Sequence, residues 1–222
     1  MSKAASPIRV ALEVAPKRAF ASAIDWPGWS RSGRTPGEAL ETLAAYADRY
    51  APVVTISGLK LPKVGGAESF TVIEELEGDA TTTFGAPSQP AAVESGAATA
   101  KEAERVAQLL EAAWTFLDEV VQSSPAELRK GPRGGGRDRD KMFAHVLGAE
   151  QAYARKLGIR LQQPSNDDRA AIRAMRAALI GAVRADRSGK PLWDRGWPPR
   201  YSARRFAWHV LDHAWEMQDR SS

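Results

Sequence analysis

Three histidines are the only imidazoles in this 222-residue chain, and two of them, His209 and His213, stand four apart in RRFAWHVLDHAWEMQDR. Four residues of α-helix turn about 400° and rise ~6 Å, so both rings leave the same face and can grip one ion. The third, His145, lies in DRDKMFAHVLGAEQAYARKLG, a separate helical pattern. A ring from that second helix would complete a three-histidine set with coordination left open for water or substrate, the form catalytic zinc sites take. His145, His209 and His213 are therefore the candidate ligands of a divalent metal ion, Zn2+ first, with Ni2+, Mn2+ and Fe2+ suited to the same donors. The chain has no cysteine, which excludes disulfides, thiolate ligands and a cysteine nucleophile. A thiol at such a centre would have to arrive as a cosubstrate.

Two further residues join the histidines as candidate catalytic groups. Arg205 precedes His209 by one turn on the same face, placed to hold an anionic group of a substrate. Glu216 follows His213 by three residues, where it can accept from a ring N–H, serve as a water-facing base or stand as a surface acid. Asp212 is turned about 100° from His213, toward a neighbouring helix or solvent. Gly148, Ala149 and Ala152 follow His145 along its own face and leave volume near the ion. Trp193, Trp197 and Tyr201, in PLWDRGWPPRYSARR, either wall a pocket or pack on the end of the helices; Trp208 and Trp215 flank the histidines as core residues.

These side chains need elements to position them, and the chain changes texture near residue 98. Before it, the runs IRVALEV, AFASAIDW, PVVTIS and SFTVIEEL predict strands, and EGDA between SFTVIEEL and TTTFGA predicts a hairpin turn. Among them Thr35, Pro36 and Glu38 form the start of a capped helix, GEALETLAAYADRY. APSQPAAVESGAA reads as a linker or connecting loop. Beyond it the period becomes helical. A first helix over about 99–122 carries the stripe Val106, Leu109, Leu110, Ala113, Phe116, Leu117, Val120 and Val121. A second spans about 138–157, closed by Gly158. A third runs over about 165–187 on Ile172, Met175, Leu179, Ile180 and Val183, and a fourth over about 202–219. The expected architecture is an α+β unit over 1–90, a linker over 91–98 and an all-α four-helix bundle over 99–222, with the metal site between two facing helices. GPRGGGRDRD lacks the G-K-[ST] of a P-loop and follows no strand, so it is expected as a loop before the second helix, placed to act as a lid.

The C-terminal half resembles the DinB/YfiT-like superfamily of four-helix-bundle metalloenzymes, through DKMFAHVLGAE with His145 and AWHVLDHAWE with His209 and His213. The resemblance covers about 120 residues. It implies that these three histidines bind a divalent ion and that the activity is of a hydrolase or thiol S-transferase type, with a small-molecule substrate and, in the second case, a low-molecular-weight thiol. The stretch AFASAIDWPGWSRSGRTPGEALETLAAYADRY resembles the HicB-like fold: a strand ending in a D-x-P-G turn, a second strand, then a T-x-x-E-A-L helix. That implies a scaffold for homodimerisation, pocket lining or ligand binding. The alternatives kept beside the enzyme are a non-catalytic metal- or ligand-binding module and a HicB-like antitoxin regulator.

The net charge is +4, with 22 basic against 16 acidic residues from Thr99 onward and 9 against 11 before it. The arginines of the second half are interleaved with acids, which favours a solvated helical surface over nucleic-acid binding. MSKAASPIRVALEV lacks the apolar run of a signal peptide and no ~18-residue apolar stretch occurs, so a cytoplasmic protein without a membrane span is expected.

Overall fold

The computed structural model of the chain describes residues 7–131, 135–185 and 187–221. The first six residues, and 132–134 within the GPRGGG loop, lie outside the described residues. The chain is mixed α/β, a four-stranded sheet followed by helices.

β1 (Ile8–Ala15) and β2 (Arg18–Ala23) form a hairpin turned at Pro16 and Lys17. β3 (Ser30–Gly33) extends it antiparallel to β2. α1 (Pro36–Ala45) and α2 (Ala47–Ile56) then lead to β4 (Phe70–Glu77), which lies parallel to β1, giving the order β3-β2-β1-β4. The two central strands are buried on both faces, which is why IRVALEV and RAFASA read as runs rather than a clean alternation. Val10, Leu12, Ala19 and Ala21 join the main core, while Phe20 on the other face meets Trp208 edge-on at 6.1 Å.

Four local expectations are corrected here. The one helix expected over GEALETLAAYADRY is broken at Tyr46 into α1 and α2. PVVTIS is not a strand: its apolar residues end α2, where Tyr50 stacks on Trp29 at 5.4 Å and donates its hydroxyl to the carbonyl of Pro27. That packing, with Val53 and Val54 buried beside it, overrides the β preference of the valines and tolerates Pro52 inside the helix. EGDA is not a hairpin turn. β4 already pairs with β1, and Asp79 caps α3 (Ala80–Phe84) by accepting from the N–H groups of Thr81 and Thr82, while its own N–H donates to the Thr82 hydroxyl. At α1, Thr35 does accept from the Glu38 N–H, but the Glu38 carboxylate takes the N–H of Arg34 at 2.8 Å, one residue before the expected partner.

The second half consists of α4 (Ala100–Ser123), α5 (Arg139–Ala154), α6 (Arg169–Ala185) and α7 (Pro199–Ser221). Thr99 and Glu102 close a capping box on α4. α5 tightens into a 3-10 turn over Arg155–Leu157 and stops at Gly158, whose φ of +73° suits glycine. α6 starts and α7 ends close to where the periodicity placed them, with α7 beginning earlier because Pro199 fits a first helical turn. The predicted stripes of α4 and α6 are buried throughout. α4 and α5 each pack on both α6 and α7, so α5 and α7, the helices that carry the histidines, are neighbours.

α7 is buried at every position from Tyr201 to Leu211, because the N-terminal unit covers one flank and the other long helices cover the rest. One apolar core runs without a break from Ile8 to Met217. Segment 91–98 is packed into the same body. Its Glu94 and the Arg204 of α7, each about 2% exposed, form an ion pair at 2.6 Å, and Arg204 also donates to Ser22 of β2 and the carbonyl of Gln89. The two halves approach closely at Gly28, in the Asp25–Gly28 turn. Its φ is +93°, and an added Cβ would stand 2.6 Å from Leu211 Cδ1 and 3.1 Å from Ala207 Cβ. Among the described residues no helix is long and apolar enough to cross a membrane.

Candidate metal centre

His209 and His213 sit one turn apart on α7, as their spacing requires, and His145 faces them from α5. The ring centroids are 4.6 Å apart for His209 and His213, 5.1 Å for His145 and His209, and 4.9 Å for His145 and His213. One ring nitrogen from each lies within 4.8 Å of the others, so the three can hold a metal ion. Among the described residues no carboxylate joins this group. The helices converge here because α7 is fixed from behind: Arg31 of β3 pairs with Asp212 at 3.0 Å and lies over the rings of Tyr46 and Trp215, while Arg49 of α2 reaches Asp219 and the carbonyl of Trp215. Asp212 thus pairs with a strand residue while its side chain stays partly exposed to solvent.

The surroundings set which ring nitrogens are free. His213 Nδ1 lies 3.0 Å from Glu216 Oε2, and Arg220 donates to the other carboxylate oxygen at 2.9 Å. A carboxylate only accepts, so in the neutral ring Nδ1 carries the proton and Nε2 keeps the lone pair that a ligand needs. Glu216 therefore accepts from the His213 ring, the first of the three arrangements expected for it. The hydrogen bond from His213, aided by Arg220, holds its carboxyl below the usual carboxylate range. Burial, then the charges of His213 and Arg205, push His209 well below the ordinary imidazole value of 6.5. Burial and His213 lower His145 as well, with Arg137 adding to the effect. Both rings are thus kept neutral, the form that binds metal.

Arg205 is 6% exposed, and its guanidinium lies over Tyr153 at 5.2 Å and Trp208 at 4.5 Å. Tyr153, two turns beyond His145 on α5, meets the His209 ring at 5.8 Å and Trp197 at 5.3 Å. Trp197 and Tyr201 contact each other and close this side with Tyr153, whereas Trp193 lines a separate cleft of about 730 Å³ with Arg155, Arg160, Leu161 and Leu192, away from the histidines. Trp208 and Trp215 are buried, as expected. Gly148 does not open volume at the histidines. Gln163 donates to the carbonyl of Ala144, and its side-chain oxygen stands 2.9 Å from where a Cβ would be, so the glycine seats the loop after α5. Ala152 is exposed.

Sequence reasoning missed Tyr153, Arg220 and Arg31. Tyr153 lies eight residues from His145 and Arg220 four from Glu216, both same-face helical spacings that carried the signal. Arg31 comes from a distant strand, and no local spacing announces it. Compared with protein-family models, with curated proteins and with solved structures, the chain matches none.

Proposed function

We propose that the chain is a metal-dependent enzyme of the DinB/YfiT-like kind: a HicB-like α+β unit joined to a four-helix bundle formed by α4, α5, α6 and α7, acting on a small molecule by hydrolysis or thiol transfer. The observation that carries this reading is the convergence of His145, His209 and His213 from two helices, with one nitrogen of each within 4.8 Å of the others. The donor set fits a divalent ion of the zinc type. All three are imidazoles, burial keeps His145 and His209 neutral, and Glu216 reserves Nε2 of His213 for coordination. Bound there, such an ion supplies Lewis-acid chemistry that brings the pKa of a water or thiol toward neutrality and polarises a carbonyl.

The chain's own residues do the rest. Glu216, held by Arg220, fixes the His213 ring and strengthens it as a donor. Tyr153, Trp197 and Trp208 exclude water from one side of the histidines, and Arg205 presents a positive charge to that space. No cysteine is present to act as nucleophile, so in the thiol-transfer case the thiol comes from a cosubstrate.

The test is elemental analysis of protein purified without a histidine tag, beside a His209→Ala/His213→Ala variant shown by circular dichroism to be folded. About one divalent ion per chain is expected in the wild type and none in the variant. A wild type that holds no ion even after reloading with Zn2+ or Ni2+ overturns the reading.

A further inference from the structure

Three arginines are buried among the described residues: Arg176, Arg204 and Arg205. Two are neutralised. Arg204 is paired with Glu94, and Arg176 with Asp118 at 3.0 Å and Glu150 at 3.4 Å. Among the described residues Arg205 has no such partner: no carboxylate there pairs with it, and its Nη1 is buried without a hydrogen bond. A buried cation left without a counter-charge is strongly unfavourable, and in this protein the other two positions show the ordinary remedy. Arg205 is a position where that remedy is withheld.

The two aromatic rings around it do not substitute for an anion. Tyr153 and Trp208 attract the guanidinium through their π faces, but such contacts leave its buried Nη1 without an acceptor. The ligand that completes the site must therefore bring an acceptor to the edge of the fork. It must also sit beside the histidines, since Arg205 is one helical turn before His209 and shares both neighbours with it: Tyr153 lies 5.8 Å and Trp208 6.2 Å from the His209 ring. A lone guanidinium offers one positive charge and a planar pair of donors, which matches a carboxylate in charge and shape. Of the arginines near the histidines, Arg220 is committed to Glu216 and Arg31 to Asp212, and Arg137 is exposed, so Arg205 is the one buried guanidinium there among the described residues that is left for an anion.

We propose that Arg205 is the carboxylate anchor of this site and that its substrate is a small organic acid, whose reacting group lies a few atoms from the carboxylate and so reaches the three histidines. The inference rests on the reading of those histidines as the catalytic centre.

The experiment is calorimetric titration of succinate, of its neutral counterpart succinamide and of inorganic phosphate into metal-free and zinc-loaded protein, for the wild type, Arg205→Met and Arg205→Lys. Succinate is expected to bind the wild type, to lose about tenfold or more in affinity in Arg205→Met, and to be only partly rescued by lysine, which keeps the charge and loses the fork. Succinamide should bind none of them. The ligand-free Arg205→Met protein should melt no lower than the wild type, because the residue is kept for a ligand and not for the fold. If the methionine variant does not fold, that stability expectation has failed and the anchor with it. Equal succinate affinity in wild type and variant, no succinate binding at millimolar concentration, or tighter binding of phosphate than succinate also overturns the proposal. Zinc content separates the two claims. A wild type without zinc whose succinate binding still depends on Arg205 defeats the metal reading alone, and a zinc protein whose succinate binding ignores Arg205 defeats the anchor alone.

Discussion

At the scale of single residues, the imidazoles differ by environment more than by type. His209 is almost wholly buried between Tyr153, Trp208 and the other two rings, and its protonated form is disfavoured first by burial and then by neighbouring positive charge. That has a thermodynamic consequence for the metal-free protein. The folded-state pKa of His209 lies below the 6.5 of an ordinary imidazole, so the unfolded chain takes up its proton first. The stability tied to this residue is full above pH 6.5 and is lost as the pH falls below it, with a slope bounded by about 1.4 kcal/mol per pH unit. Urea unfolding of chelator-treated protein at pH 7.5 and 5.5 should show the loss, and His209→Gln should flatten it. A wild type equally stable at both values would contradict this account. The histidine trio and the place of Arg205 were legible because helical spacing depends only on local geometry. The sealing of Arg205 was not, because it takes Tyr153 from another helix and Trp208 held against Phe20 of a distant strand.

Among the elements, legibility followed how far each depended on its partners. The stripes of α4 and α6 are long enough to declare their own period, and both are buried as read. α2 and α3 are short, and for them the tertiary setting decided: Tyr50 against Trp29, and Asp79 capping rather than turning. The Asp25–Gly28 turn shows the same dependence from the other side. The order of strand, turn, strand and helix over 19–50 is present, but the reason for glycine at 28 is visible only beside α7. There, left-handed backbone and contact with Ala207 and Leu211 both bar a side chain. Gly28→Ala should destabilise by about 2–4 kcal/mol, combining backbone strain with overpacking. Gly58 provides the control, since it also has positive φ, +72°, but nothing within 4 Å of an added Cβ. Gly58→Ala should lose only the backbone part, about 1–2 kcal/mol. Denaturant unfolding of the pair gives the difference, and equal losses would mean that the turn yields to the methyl group. Because Ala207 and Leu211 bracket His209, the same Gly28 variant should also bind zinc more weakly.

For the whole molecule, the decisive fact is that α7 belongs to two neighbourhoods at once. It faces the sheet through Arg204 and Trp208 and the long helices through the residues between them, and the apolar core passes through it unbroken. A single unfolding transition is therefore expected, with no step in which the α+β part survives alone. Arg204→Met, which strands Glu94 in the interior, should shift that whole transition by about 3–5 kcal/mol, and adding Glu94→Gln should recover part of the loss. Two resolved calorimetric transitions, or a variant that perturbs only part of one, would refute this picture.

The position of α7 in the chain also bears on how the protein is made. A ribosome delivers the sheet, α1 and α2 well before residues 199–221, yet the face bearing Phe20 and the cap at Gly28 wait for that helix. During synthesis the finished sheet must therefore carry an open apolar surface through some 120 residues of elongation, about six to twenty-five seconds at ordinary translation speed. That face, and not the histidine end of the molecule, is where a chaperone is expected to hold the growing chain.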